Sequence, residues 1–219
     1  MMILAPSMLA ADFKNLGNEI KLIEDNGAQY LHFDVMDGIF VPSISFGMPV
    51  LESIRPATNL VCDVHLMITE PIRYIEAFQK AGADLITIHL EACEDVNATI
   101  EKIRECGCKV GLSISPDTPV SSLAPYVDMV DMVLIMSVYP GFGGQKFIPE
   151  SLDKIRELKR MLDEKHLEVD IQVDGGIYTS NVEEVVKVGA NIIVAGSAIF
   201  RGDVAQNTKD MLSILEKYE

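Results

Sequence analysis

Eight short apolar runs, separated by longer amphipathic and charge-flanked segments, constrain the fold of this chain more than any other feature. The runs are rich in β-branched and aliphatic residues, which is typical of strands buried on both faces. They are Ile3 to Leu9, Tyr30 to Asp34, Leu60 to Met67, Leu85 to His89, Val110 to Ile114, Met132 to Val138, Asp170 to Asp174 and Ile192 to Ala195. The alternation predicts repeated βα units around a parallel sheet.

Helical patterns fill the segments between these runs. The clearest are Asp12 to Asn26, Pro71 to Ala81, Asp95 to Cys106, Glu150 to Leu162, Asn181 to Val188 and Val204 to Lys217. The segments after Pro49 and after Ser121 are weaker. Gly27, Gly82 and Gly189 each precede an Ala and then a polar residue, a pattern that predicts a glycine at the helix exit before the next strand.

The predicted fold is an α/β, single (β/α)8 TIM barrel, with residues 1–219 as one catalytic domain. Eight units in 219 residues suit a barrel with short loops, and no Gly/Ser linker or long charge run divides the chain. An open, doubly wound sheet is the alternative. No G-x-G-x-x-G motif follows the first predicted strand, which weakens that alternative and a dinucleotide site.

Charge and composition exclude several classes of partner. The net charge of −15 argues against nucleic acid and anionic membrane surfaces, both of which require a basic footprint. Phosphate ligands stay open, because salt screens distant charge over about 8 Å. No apolar run is long enough for a membrane span, and the N-terminus does not resemble a signal peptide, so we expect a soluble, cytoplasmic protein. We expect the four cysteines to be reduced.

Histidines and carboxylates occupy strand ends where more hydrocarbon would be expected. Because side chains alternate along a strand, His32 and Asp34 share one face of the second strand, and Asp63 and His65 share one face of the third. Asp174 ends the seventh strand. In a barrel, inward-facing residues at the carboxyl ends of strands meet at one mouth, where active sites of this fold lie. Burying these charged groups requires ligation or hydrogen bonding.

Two imidazoles and two carboxylates predict one divalent metal ion held by His32, Asp34, His65 and Asp174. Such nitrogen and oxygen donors suit Zn²⁺ or Fe²⁺ best, with Mn²⁺ or Co²⁺ as alternatives. Asp63 lies one inward step below His65, as either a support for the ligands or a core hydrogen-bonding group. We interpret His89 as a structural core residue and His166 as solvent-facing.

Glycine clusters end the last three strands and predict a phosphate-binding cradle. Glycines let backbone N–H groups approach an anion closely, and barrels often bind phosphate after strands seven and eight. The predicted contacts are Gly141, Phe142, Gly143, Gly144, Gly175, Gly176, Gly196 and Ser197. Ser7 could hydrogen-bond the substrate or a carboxylate, and Met36, Met67 and Met136 could form an apolar wall around the site.

Six motifs spread along nearly the whole chain resemble the ribulose-phosphate 3-epimerase family. They are Ala5-Pro6-Ser7-Met8-Leu9-Ala10-Ala11-Asp12-Phe13, His32-Phe33-Asp34-Val35-Met36-Asp37-Gly38, Phe40-Val41-Pro42, Asp63-Val64-His65-Leu66-Met67, Pro140-Gly141-Phe142-Gly143-Gly144-Gln145 and Val173-Asp174-Gly175-Gly176. The resemblance implies a barrel of the ribulose-phosphate-binding type, with the four metal ligands named above. It also implies substrate contacts from Ser7, His65 and the glycine clusters, and a homo-oligomer.

The implied reaction interconverts D-ribulose 5-phosphate and D-xylulose 5-phosphate in the pentose phosphate pathway. Inverting the carbon next to a ketone requires removing its proton from one face and delivering a proton to the other, through an enediolate. The resemblance assigns this acid/base pair to Asp34 and Asp174. A cation would stabilise the charge that develops on the substrate oxygens.

The sequence leaves open an alternative substrate and alternative classes of barrel protein. Ser43 and Ser115 stand where the family usually has Asn, which leaves D-allulose 6-phosphate as an alternative substrate. A related decarboxylase or synthase would carry Asp-x-Lys-x-x-Asp on the third strand, where this chain has His65 and Ile68. No inward-facing lysine ends a predicted strand, which disfavours a Schiff-base aldolase. A non-catalytic sugar-phosphate-binding barrel is the alternative from a different class.

Overall fold

The protein, described by a computed structural model covering residues 1–219, contains eight parallel strands with helices between them. The strands are β1 (Ile3–Pro6), β2 (Tyr30–Met36), β3 (Val61–Met67), β4 (Leu85–His89), β5 (Lys109–Ile114), β6 (Met132–Met136), β7 (Asp170–Asp174) and β8 (Ile192–Ala195). The helices are α1 (Leu16–Asp25), α2 (Met48–Ile54), α3 (Ile75–Ala81), α4 (Val96–Glu105), α5 (Ser151–Lys165), α6 (Val182–Lys187), α7 (Ser197–Phe200) and α8 (Val204–Leu215). None of these helices combines the length and the apolar character needed to cross a membrane.

The sheet closes into a barrel. Its strand order is β1-β8-β7-β6-β5-β4-β3-β2, and every neighbouring pair is parallel. The two outer strands of that order meet through a parallel bridge between Ser7 and His32. The predicted (β/α)8 barrel is therefore confirmed, and the open doubly wound sheet is wrong. The chain ends lie together, since Met2 N–H donates to Glu219 Oε1 at 3.1 Å.

Several elements differ from the sequence prediction. β2 continues to Met36 instead of ending at Asp34, and β6 ends at Met136 instead of Val138. β1 ends at Pro6 instead of Leu9, because the chain turns into a 3-10 segment at Met8–Ala10. The weak helix expected after Ser121 is replaced by two 3-10 segments, Val120–Leu123 and Val127–Met129. The one-turn helix α7, directly after β8, was not predicted from the sequence. The predicted glycine exits are present, and Gly82, for example, ends α3 with a φ of 110°.

The core has two apolar layers, separated by the sheet. Outward-facing strand residues such as Phe33 and Val64 are fully buried against the surrounding helices. The barrel interior contains a smaller cluster that includes Leu134 and Ile192. The interior becomes polar toward the carboxyl ends of the strands, where apolar filling gives way to histidines and carboxylates. The site described next lies at that end.

Candidate functional site

Four ligand-type side chains reach one point at the carboxyl end of the barrel. β2 contributes His32 and Asp34, which point inward because they lie two residues apart on the strand. The register between β2 and β3 places His65 directly beside Asp34, and Asp174 ends β7. One donor atom from each of the four residues lies within 4.8 Å of the others. The structure thus brings together the four residues that the sequence singled out.

His32 is fully buried and is fixed from below by Asp63. Its Nδ1 lies 2.7 Å from Asp63 Oδ2, and the same oxygen accepts a hydrogen bond from Gln172 Nε2 at 2.6 Å. Its other nitrogen, Nε2, has no hydrogen-bond partner and lies 3.3 Å from Asp34 Oδ1 and 3.8 Å from Asp174 Oδ2. Burial disfavours the imidazolium, but the charges of Asp63 and Asp34 outweigh burial and hold the pKa of His32 well above its usual value.

His65 is also fully buried, and its two nitrogens face different neighbours. Nδ1 lies 3.2 Å from Asp34 Oδ1 and 3.9 Å from Asp174 Oδ2. Nε2 lies 2.9 Å from Nε2 of His89. Burial lowers the pKa of His65, and the neighbouring His32 charge adds to that effect. The sequence analysis kept His89 apart from the site, whereas the structure places it in direct contact with His65.

The pKa values of the two aspartates in the cluster are shifted in opposite directions. Burial alone would raise the pKa of Asp34, but the imidazoles of His32 and His65 outweigh burial and hold that pKa well below its usual value. Ser7 Oγ also donates to Asp34 Oδ2 at 2.6 Å. Burial and the nearby Asp34 charge raise the pKa of Asp174 to about 7. Near neutral pH, one carboxyl group is therefore ionised while the other can carry a proton.

The cluster fits a divalent cation. His32 Nε2 is buried without a partner and aims at the carboxylates, and Asp34 and Asp174 add two oxygens within reach of it. A buried polar atom of that kind costs about 1–3 kcal/mol unless something satisfies it. Two imidazoles and two carboxylates are the donors that Zn²⁺, Fe²⁺, Mn²⁺ and Co²⁺ accept. A cation would also offset the like charges of the buried carboxylates.

A cavity of about 310 Å³ opens directly above the cluster. Asp34 and Asp174 line it, whereas His32 and His65 are fully buried and do not, although the sequence analysis expected His65 to contact the substrate. The lining includes all the other residues expected from the sequence: Ser7, Met36, Met67, Met136, Gly141, Phe142, Gly143, Gly144, Gly175, Gly176, Gly196 and Ser197. Such a volume suits a small metabolite. Phe142, which is 56% exposed, lies at the outer edge.

The glycine side of the cavity combines backbone constraint with open space. Gly176 has a φ of 66°, and a Cβ there would lie 2.4 Å from the backbone nitrogen of Phe147. The fold itself therefore requires that glycine. At Gly143 a Cβ would meet only Leu9, at 3.8 Å, so the surrounding protein does not require a glycine. Because Gly143 has no side chain, a ligand has room to approach the backbone closely at this position.

Two residues at this side were missed by the sequence analysis. Arg201 is the only basic residue among the cavity-lining residues, and its Nη2 lies 3.8 Å from where a Cβ on Gly144 would be. It comes directly after α7, four residues beyond Ser197, and no motif marks it. Tyr178 was also missed, and its hydroxyl lies 2.7 Å from Ser197 Oγ.

The fold and the site together define a (β/α)8 barrel enzyme with a histidine and carboxylate cluster beneath a glycine-lined cavity. The family model for the ribulose-phosphate 3 epimerase family matches residues 3–200. The chain belongs to the ribulose-phosphate 3-epimerase family, a family of isomerases that act on sugar phosphates.

Individual relatives agree with the family match. Ribulose-phosphate 3-epimerase from Bacillus subtilis (strain 168) is 53% identical over 197 residues, which cover 90% of this chain and 91% of the relative. The Escherichia coli (strain K12) protein of the same name is 45% identical over 217 residues, covering 98% and 96%. Among solved structures, KGPDC from Streptococcus mutans superposes with a TM-score of 0.75 at 13% identity, covering 100% of this chain and 99% of that one. The last similarity concerns the fold alone.

Proposed function

We propose that this enzyme interconverts D-ribulose 5-phosphate and D-xylulose 5-phosphate by inverting the configuration at C3. One observation carries the proposal: Asp34 and Asp174, with oppositely shifted pKa values, converge on one point at the floor of the cavity in a chain of this family. The names of the relatives support the choice of substrate. Residues 1–219 would act as one catalytic domain in the cytoplasm, as part of the pentose phosphate pathway.

The two carboxyl groups would exchange roles with the direction of reaction. In one direction, ionised Asp34 removes the C3 proton and forms the enediolate, and protonated Asp174 delivers its proton to the other face of C3. The turnover leaves Asp34 protonated and Asp174 ionised, which is the state that the reverse reaction requires. Proton exchange with solvent or between the two groups restores the starting state. Ser7, which donates to Asp34 Oδ2, would hold that carboxylate in place.

His32, Asp34, His65 and Asp174 are the residues that would hold a divalent ion, with Zn²⁺ or Fe²⁺ as the first candidates and Mn²⁺ or Co²⁺ as alternatives. When bound, the ion would supply electrostatic stabilisation of the negative charge that develops on the substrate oxygens. Asp63 and Gln172 would keep His32 oriented toward the cluster. Met36, Met67 and Met136 would exclude water from the reacting carbon.

The phosphate would bind at the glycine side of the cavity. Backbone N–H groups of the Gly141 to Gly144 loop, with Gly175, Gly176, Gly196 and Ser197, would surround the anion. Arg201 would add the single positive side chain. The six-carbon alternative finds less support, because neither Ser43 nor Ser115 lines the cavity. The ratio of kcat/KM for D-ribulose 5-phosphate to that for D-allulose 6-phosphate should therefore exceed one.

Proton exchange at C3 tests the mechanism directly. Wild-type protein incubated with D-ribulose 5-phosphate in D2O should incorporate deuterium at C3, measured by NMR. Asp34→Asn and Asp174→Asn should each slow the incorporation by about 10²–10⁴-fold. Asp128→Asn, at an exposed position that does not line the cavity, is the matched control and should behave as wild type. Undiminished exchange in both active-site variants would reject the two-carboxylate mechanism, and tight binding without any exchange in the wild type would instead favour a non-catalytic sugar-phosphate-binding protein.

A further inference from the structure

The hydroxyl groups of Tyr178 and Ser197 form a hydrogen bond at the glycine side of the cavity. Their oxygens lie 2.7 Å apart. Ser197 is the first residue of α7, directly after β8, and it lines the cavity. Tyr178 lies between β7 and α6 and does not line the cavity. Any effect of the Tyr178 hydroxyl on a bound ligand must therefore pass through Ser197.

The backbone of Tyr178 is fixed by its own loop and does not depend on Ser197. Its N–H donates to Asn181 Oδ1 at 2.8 Å, and its carbonyl oxygen accepts from the N–H groups of Asn181 and Val182 at 3.1 Å and 3.0 Å. Asn181 Nδ2 also donates to the Gly176 carbonyl oxygen at 3.0 Å, which ties the loop to the end of β7. A tyrosine side chain has few torsions to restrict, so the phenol can be held against Ser197 at a low cost in conformational entropy.

The hydrogens of the two hydroxyl groups can be arranged in two ways. Each hydroxyl carries one hydrogen and can also accept. If Ser197 donates to Tyr178, the Ser197 hydroxyl presents only lone pairs to the cavity. If Tyr178 donates to Ser197, the hydrogen of Ser197 is free to point into the cavity. A phenol is a stronger donor and a weaker acceptor than an aliphatic alcohol, which favours the second arrangement.

A phosphate group in the cavity would select the same arrangement. Its ionised oxygens accept hydrogen bonds, so a lone pair of Ser197 would be repelled and the hydrogen of Ser197 would be attracted. A donor bound to the Ser197 oxygen polarises the Ser197 O–H group and strengthens the bond that this group donates. The hydrogen bonds from Tyr178 to Ser197 and from Ser197 to the anion would therefore reinforce each other.

We infer that Tyr178 is a positioning residue that orients the Ser197 hydroxyl as a donor to the phosphate group of the substrate. The inference rests on the proposed function, which places the phosphate at this side of the cavity. The side chain of Tyr178 makes its one hydrogen bond to Ser197 and none to Asp34 or Asp174. Tyr178 therefore contributes to recognition of the anion and not to proton transfer at C3.

A double-mutant cycle tests this role with inorganic phosphate as the probe. Titration followed by 31P NMR would give the Kd of phosphate for the wild type, Tyr178→Phe, Ser197→Ala and the variant that carries both substitutions. Tyr178→Phe removes only the hydroxyl and should raise the Kd by about fivefold. Ser197→Ala should raise it by about tenfold, since a bond to a charged acceptor is lost. The variant with both substitutions should match Ser197→Ala, because Tyr178 acts through the Ser197 hydroxyl.

Tyr74→Phe is the matched control for the loss of a tyrosine hydroxyl. Tyr74 has an exposed fraction of 36%, close to the 37% of Tyr178, but it does not line the cavity and makes no contact with Ser197. The Kd of phosphate in this variant should equal that of the wild type.

Kinetics and stability distinguish a positioning role from a purely structural contact. With D-ribulose 5-phosphate as substrate, Tyr178→Phe should raise KM by about fivefold and leave kcat nearly unchanged, because the phosphate contact is present in the ground state and the transition state alike. The free energy of unfolding of the ligand-free protein should change little, because Tyr178 is partly exposed and water can replace the lost partner. A purely structural contact would give the reverse result, with lower stability and an unchanged Kd for phosphate.

The outcomes separate this inference from the proposed function. An unchanged Kd for phosphate in Tyr178→Phe would overturn the positioning role. So would a loss of affinity from Tyr178→Phe that is equally large with and without the Ser197 hydroxyl, or a wild type that does not bind phosphate. The expected coupling between Tyr178 and Ser197 in a wild type that does not exchange protons at C3 would count against the proposed function alone.

Discussion

His32 Nδ1 and Asp63 Oδ2 lie 2.7 Å apart in the fully buried interior of the barrel, and the same oxygen accepts from Gln172. Asp63→Ala would leave two buried donors without an acceptor. Removing one member of a buried pair of this kind costs about 3–5 kcal/mol. We expect the free energy of unfolding, measured by urea denaturation, to fall by that amount.

Asp63→Asn is the matched control for the acceptor. Its amide oxygen can still accept from both His32 and Gln172, so the loss of stability should be smaller than for the alanine variant. Equal losses in the two variants would mean that the charge of Asp63, and not its role as an acceptor, stabilises the interior.

The stability of the metal-free protein should depend on pH through Asp174. Its pKa is raised to about 7, so the folded state holds this proton more tightly than the unfolded chain does. The stabilising contribution is present below the unfolded pKa of about 4 and is lost as the pH rises through about 7. Denaturation at pH 4 and at pH 8 would measure this effect. Between these pH values, the free energy of unfolding of the wild type should fall by up to about 4 kcal/mol relative to that of Asp174→Asn. A stability difference that does not change with pH would contradict the raised pKa.

The sequence predicted much of the fold because the alternation of buried and inward-facing residues is local. β4, β7 and β8 begin and end where the sequence pattern placed them. The convergence of His32, His65 and Asp174 was also predictable, because parallel strands in a barrel bring their carboxyl ends to one mouth. Local patterns therefore determined the position of the mouth and most of its side chains.

The contact between His65 and His89 could not be predicted in the same way. It depends on the register between β3 and β4, which pairs His65 with Thr87 and leaves His89 one inward step further along the barrel. The register between two neighbouring strands cannot be read from the sequence of either strand alone. Arg201 was missed for a similar reason, since only the unpredicted turn of α7 brings its side chain back over the cavity.

Arg201 should contribute to substrate affinity more than to turnover. As the only basic lining residue, it would interact with the phosphate in the ground state and the transition state alike. Because Arg201 is exposed, we expect Arg201→Gln to raise KM by about tenfold, the lower end for a charge-assisted contact, with kcat nearly unchanged. Steady-state kinetics would measure both constants.

The control for Arg201 is Arg160→Gln, a substitution of an exposed arginine on α5 that does not line the cavity. It removes one positive charge from the protein, as Arg201→Gln does, but should leave KM unchanged. A similar rise of KM in both variants would indicate a general effect of charge, and a fall in kcat alone would place Arg201 in the chemical step.

Gly143 and Gly176 should respond to alanine in opposite ways, although both line the glycine side of the cavity. A Cβ on Gly176 would collide with the backbone of Phe147 and would force a side chain into a φ of 66°, so Gly176→Ala should lower the free energy of unfolding by about 1–3 kcal/mol. A Cβ on Gly143 meets only Leu9 at 3.8 Å, so Gly143→Ala should fold normally but raise KM for the sugar phosphate. Denaturation and kinetics on both variants would measure these effects, with Gly17→Ala in α1 as a control that changes neither the backbone nor the cavity. Normal KM in a stable Gly143→Ala variant would show that the phosphate does not approach the backbone at that loop.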